Sequence, residues 1–171
     1  MLNWLKNQAH TKWADVPASQ DGETLIHASA QEIYEKLDFA SPANALRERG
    51  FKFGPGNPAY RIYELTDPDI PESRLVFEVT EAEPGKRYAY RVVRYVDGNE
   101  SPVSESEREY TIEPAPQGGH FLHLKETSTL EENVHRDEYV LARAQLNFRV
   151  FRNLARLKLH VELGAEAASF K

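Results

Sequence analysis

The sequence predicts an α+β fold: a curved antiparallel sheet wrapped around a long C-terminal helix, with two short helices after the first strand. Three observations predict it. Between Tyr60 and Leu130 apolar and polar residues alternate with a period near two, broken by tight-turn residues. From Asp137 to Leu163 neither glycine nor proline interrupts a pattern of helical period. Ser29-Ala30-Gln31-Glu32 is a capping box, placed just after a short strand-like run.

The elements follow in chain order. Leu2, Leu5, Ala9 and Trp13 recur at steps of three and four, which predicts a short amphipathic helix within an N-terminal extension, residues 1–22. Asp15 to Gly22 carries turn chemistry, and Glu23 to His27 reads as a strand. The capping box opens a helix through Ile33, Tyr34 and Leu37. Ser41-Pro42 starts a second, carrying Ala45 and Leu46 and ending at Gly50. Gly54-Pro55-Gly56-Asn57-Pro58 cannot continue a regular element, because its prolines lack donors and its glycines permit unusual backbone angles.

Five strands are predicted next: Tyr60 to Thr66, Arg74 to Glu81, Arg87 to Val96, Glu105 to Glu113 and His120 to Leu130. Short turns such as Glu83-Pro84-Gly85 and Asp97-Gly98-Asn99 make them an antiparallel meander. Leu75, Phe77 and Val79 share one face, as do Leu122, Leu124 and Leu130, so the sheet has an apolar side that needs a cover. The last helix is that cover, about 40 Å long at 1.5 Å per residue. On a helical wheel Val140, Ala144, Phe148, Phe151, Leu154, Ala155, Leu157 and Val161 span an arc of about 220°. The expected contact joins Ala144, Phe148, Phe151 and Ala155 to Leu75, Phe77 and Leu124. An arc this wide leaves excess apolar surface for the short helices, a cavity or a second subunit in a homodimer. Gly164 stops the helix.

Composition bounds the function. The 171 residues suit one domain, residues 23–164, followed by a tail, residues 165–171. A net charge of −6 argues against nucleic acid as a partner. With no cysteine, disulfides, thiolate nucleophiles and cysteine-ligated metals are excluded. The six histidines lack metal-ligand spacing, and the serines and glycines form neither a nucleophile elbow nor a phosphate loop, so no cofactor is expected. No run reaches the roughly 20 apolar residues of a membrane span. The first residues lack the apolar core of a signal peptide, so the expected location is cytoplasmic.

Strand alternation puts Arg94 on the face of Tyr88, Tyr90 and Val92, Arg108 on that of Tyr110 and Ile112, and Glu126 on that of Leu122, Leu124 and Leu130. Such charges, if turned inward, must pair with one another or meet a polar ligand group. A strand bulge, or a place near the open end, would instead leave them in solvent. Arg108 and Glu126 are expected within hydrogen-bonding reach on adjacent strands. Asn147 falls inside the helix's apolar arc, suited either to a ligand or to a backbone group. With Tyr90, Tyr110, Phe148 and Phe151, and with Phe53 from a rim at Phe51 to Pro58, these residues make the expected ligand-binding set.

The element order resembles the START-like helix-grip superfamily, which includes polyketide cyclases, the birch-pollen allergen and plant hormone receptors. Two stretches carry the resemblance: ETLIHASAQEIYEKL, Glu23 to Leu37, is similar to the opening strand, cap and helix, and NLARLKLHVE, Asn153 to Glu162, to the end of the long helix. The resemblance implies a cavity for a small hydrophobic molecule and carries no catalytic residue across. Three functions stay open: a carrier or sensor of an apolar small molecule, a cyclase- or dehydratase-like enzyme using Arg94, Arg108, Glu126 or a tyrosine, and a protein-interaction module.

Overall fold

The computed structural model describes residues 16–54, 57, 59, 61–66, 74–96, 103–130 and 134–168, with the backbone alone at 93–96 and 103–104. The expected N-terminal helix lies outside the described residues. Seven antiparallel strands form one sheet: β1 (Ala18–Ile26), β2 (Lys52–Phe53), β3 (Ile62–Thr66), β4 (Arg74–Glu83), β5 (Arg87–Val96), β6 (Val103–Pro114) and β7 (His120–Leu130). Their order is β1-β7-β6-β5-β4-β3-β2, so the meander closes by bringing β1 beside β7. Register shifts at Val76/Phe77, Val79/Glu81 and Val103/Glu105 are the bulges that let the sheet curl.

Helices α1 (Ala30–Leu37) and α2 (Ala45–Glu48) lie between β1 and β2, and α3 (Arg136–Leu163) follows β7. The capping box at α1 is formed: Glu32 N donates to Ser29 Oγ at 3.2 Å and Ser29 N to Glu32 Oε2 at 2.9 Å. At α2 the cap is Asn44, fully buried, whose Oδ1 accepts from Leu46 N while its Nδ2 donates to the Lys36 and Leu37 carbonyls.

Besides α2, which runs from Ala45 behind its Asn44 cap to Glu48 rather than from Ser41-Pro42 to Gly50, the structure differs from the sequence expectation at three places. First, β1 begins at Ala18 rather than Glu23, and the turn-like Gly22 sits inside it. A Cβ there would lie 3.1 Å from Leu154 Cδ1 and 3.3 Å from Val150 Cγ1, so this glycine lets α3 press onto the strand. Second, Lys52–Phe53, expected to be irregular, pairs with Leu65 and Thr66 at the sheet edge.

Third, α3 presents a different face. Tyr139, Ala142, Leu146, Val150, Leu154, Leu157 and His160 are buried, while Val140, Phe148 and Phe151 are 56%, 66% and 52% exposed. Ala144, Asn147 and Ala155 are exposed too. The helix carries two apolar stripes, and the one containing the phenylalanines is largely exposed, with the Phe151 ring edge reaching β1 at Gly22. The buried stripe crosses β1 and β7 and joins the core of Ile26, Tyr88, Leu122 and Leu124. Its first turns pack with Ala18 and Leu130 in a smaller cluster.

Truncation separates the two stripes. Leu154→Ala should cost about 3 kcal/mol of unfolding free energy in urea, and Phe151→Ala well under about 1 kcal/mol. Equal losses at both positions would contradict this setting of the helix.

Candidate functional site

The inner sheet face and the three helices do not meet everywhere. A cavity of about 100 Å³ remains between β5, β6, α1, α2 and α3. Tyr90, Arg108 and Tyr110 form its sheet wall, and Phe39, Leu46 and Leu157 supply apolar surface opposite. The register explains the sheet wall, since Tyr90 faces Arg108 across β5 and β6, and Tyr88 faces Tyr110. Phe39 packs 4.9 Å from the Tyr90 ring and 5.7 Å from that of Tyr88. Tyr88 is completely buried, and its hydroxyl accepts from Phe39 N at 2.9 Å, fixing the loop after α1 against the sheet. Burial holds the Tyr88 hydroxyl well above the usual tyrosine range, so it stays neutral.

Behind the sheet wall lies a charged cluster. Glu126 on β7 has no exposed surface. Arg108, directly across on β6, brings Nε within 3.1 Å of Oε2, and Arg149 on α3 brings its guanidinium within 2.6 Å of Oε1. Ser106 Oγ donates to Oε1 at 3.3 Å. Arg108 also donates to the Tyr90 hydroxyl at 3.0 Å. Burial works against the Arg108 charge, but Tyr90, Glu126 and Tyr110 more than offset it and hold its pKa above the ordinary value. Burial likewise raises Tyr110, helped by Tyr90. Two guanidinium groups share one carboxylate, so the cluster carries a surplus positive charge. Arg149 is 31% exposed and can share its charge with water, whereas Arg108 lines the cavity.

The helical wall carries a second polar group. His160 on α3 is buried, and its Nε2 contacts Glu48 Oε2 on α2. Glu48 also pairs with Lys36 on α1 at 2.7 Å. The Lys36 hydrogen bond holds the Glu48 carboxyl below the usual glutamate range, burial opposes it, and the His160 contact adds to the lowering.

These positions sort the sequence candidates. Tyr90, Arg108 and Tyr110 line the cavity, while Glu126 stands behind Arg108 rather than in the wall. The Arg94 side chain lies outside the described residues. Phe53 supports the site from outside: its ring lies 5.8 Å from that of Phe39 and beneath the Arg47 guanidinium at 3.7 Å. Asn147, Phe148 and Phe151 are exposed on α3 and do not line this cavity, the Phe151 ring edge lying beside Gly22 of β1. Sequence reading missed Lys36, Glu48 and His160, and it missed Ala168, which the turn after α3 returns to the cavity wall. One signal could have found His160: it falls three residues after Leu157, on the stripe of Val150 and Leu154. Among the described residues no cluster of histidine, aspartate and glutamate could hold a metal ion, and no helix is long and apolar enough to cross a membrane.

No protein-family model and no curated protein matches the chain. Solved structures match in fold. A truncated norcoclaurine synthase from Thalictrum flavum superposes with a TM-score of 0.59 at 11% identity, covering 86% of this chain and 94% of that one. Ara h 8.0201 gives 0.56 at 10% identity, covering 89% and 95%. The di-domain ARO/CYC StfQ from the steffimycin biosynthetic pathway gives 0.56 at 15% identity, covering 93% of this chain and 54% of that one.

The clasp of Lys36, Glu48 and His160 predicts a pH dependence. Because the Glu48 pKa is lowered in the folded state, its stabilisation is complete above the ordinary glutamate value of 4.5 and is lost as pH falls through the lowered one. The stability difference between wild type and Glu48→Gln should therefore shrink from about pH 6 to about pH 3 in urea titrations. A difference independent of pH would contradict the clasp.

Proposed function

Since the chain has the helix-grip fold of the START-like and birch-pollen-allergen-like proteins, we propose that it binds a compact organic molecule carrying an anionic or electron-rich oxygen. The observation that carries this reading is the Arg108 guanidinium in the cavity wall, oriented by a fully buried carboxylate and by the Tyr90 hydroxyl. An arginine held in this way has no freedom left to lose when it meets a ligand oxygen, and charge-assisted hydrogen bonds are the strong ones. Phe39, Leu46 and Leu157 offer the apolar remainder of the site.

Size narrows the ligand class. A cavity of about 100 Å³ is smaller than the roughly 150 Å³ known to accept a benzene ring. A molecule of three to six heavy atoms fits as the site stands. A larger ring needs the short helix α2 and the turn at Ala165–Ala168 to move outward, and both are small elements with few backbone bonds to the sheet. A lipid or tetracyclic polyketide would demand far more. Two neighbours in fold carry enzyme names, a synthase and an ARO/CYC, which supports a small organic molecule as the ligand.

Titration calorimetry with pyruvate against the matched neutral amide, pyruvamide, tests the reading. The acid should bind more tightly, and Arg108→Met should weaken it by about tenfold or more while the amide changes little. Equal affinity for acid and amide, or an unaffected Arg108→Met variant, would overturn the anchor.

A further inference from the structure

The completed fold leaves one apolar stripe of α3 uncovered. Val140, Leu141, Phe148 and Phe151 are each more than half exposed. With the exposed Ala144 and Ala155 they occupy an arc of about 100° on the helical wheel, over a length of about 22 Å at 1.5 Å per residue. Single exposed apolar residues are ordinary, but a continuous stripe marks a contact surface. Its margins are basic. Arg152 lays its guanidinium over the Phe148 ring at 5.4 Å, and Arg143 lies beyond the opposite margin. Neither meets a carboxylate among the described residues. Between Tyr139 and Val161 the helix carries Arg143, Arg149, Arg152, Arg156 and Lys158 and no carboxylate at all, in a chain whose net charge is −6. The negative charge is therefore carried elsewhere, and this helix is a local basic surface.

We propose that this stripe docks the protein on an anionic lipid surface, with α3 lying in the plane of the bilayer. Charge and area select that occupant. A second copy packed on the same stripe about a twofold axis would bring arginine against arginine. Residues 1–15 would add Lys6, His10 and Lys12 and a single carboxylate, Asp15. An acidic protein would match the charge, but four large side chains on one helix fall short of the roughly 20 to 30 residues a side of a standard protein interface. A bilayer needs no matching contour, because binding there grows with the apolar area inserted and with attraction to anionic headgroups. Leu141 and Phe148 would enter the boundary between headgroups and acyl chains, while the long stems of Arg143 and Arg152 carry their charges back to the phosphates. No described helix is long and apolar enough to cross a membrane, so docking is confined to one leaflet.

Vesicle co-sedimentation with the intact chain tests the docking surface. The protein should pellet with vesicles of phosphatidylcholine containing about 30% phosphatidylglycerol and stay in the supernatant with pure phosphatidylcholine. Sodium chloride at about 0.5 M should release it. Leu141→Ser combined with Phe148→Ser should weaken binding by about tenfold or more, and so should Arg143→Gln combined with Arg152→Gln, with the melting temperature retained in both. Wild-type protein that ignores anionic vesicles, or variants that bind them as well as wild type, would overturn the proposal. In the first case a dimer in sedimentation velocity that the serine variant dissolves would give the stripe to a second copy, and a monomer would give it to an acidic protein.

Discussion

Glu126 is a carboxylate placed on the apolar face of a sheet, flanked along β7 by Leu122, Leu124 and Leu130 and given no exposed surface. Left alone there, its charge would cost several kcal/mol even after relaxation. Every neighbour that could satisfy it has been drawn in. β6 contributes Arg108 and Ser106, and α3 contributes Arg149. The carboxylate therefore ties two adjacent strands to the helix that covers them. It does so at one point, with specific geometry, where hydrophobic contact alone would allow sliding.

This constraint accounts for the rotational setting of α3. Turning the helix to bury Phe148 and Phe151 would gain about 2 kcal/mol for each ring. The same turn would carry Arg149 away from Glu126 and withdraw Leu146, Val150, Leu154 and Leu157 from the core. Losing one partner of a buried ion pair costs about 3 to 5 kcal/mol, and four aliphatic side chains outweigh two phenylalanines. Gly22 completes the arrangement, since any larger residue would hold α3 off β1. The phenylalanine stripe is left in solvent as a consequence.

The same reasoning shows what was legible in the sequence. Period-two alternation is insensitive to distant contacts, so the inward faces of β6 and β7 could be read directly, Arg108 and Glu126 among them. The long helix was legible in extent, because no glycine or proline interrupts it before Gly164, but its orientation was not. A wheel sums hydrophobicity, and the buried stripe of α3 contains Tyr139 and His160 while the exposed one contains two phenylalanines. Nothing local distinguishes them, because the deciding contact is with Glu126, remote in sequence. Gly22 misled in a similar way. Its turn-like surroundings are real, but the reason for glycine is a helix that arrives more than a hundred residues later. The Glu48–His160 contact spans 112 residues and likewise has no local signature.

A double-mutant cycle on Arg108→Met and Glu126→Leu measures directly how strongly Arg108 and Glu126 are coupled within the folded core. Glu126→Leu strands the Arg108 charge in a site of low polarity, and Arg108→Met leaves Glu126 with Arg149 as its one guanidinium partner, whereas the double variant removes both members of the strand pair and leaves Arg149 free to turn to solvent. The double variant should be more stable than the sum of the single losses implies, by about 2 kcal/mol or more in equilibrium urea unfolding. Additive losses, with a coupling energy near zero, would mean that the two side chains do not share a buried site.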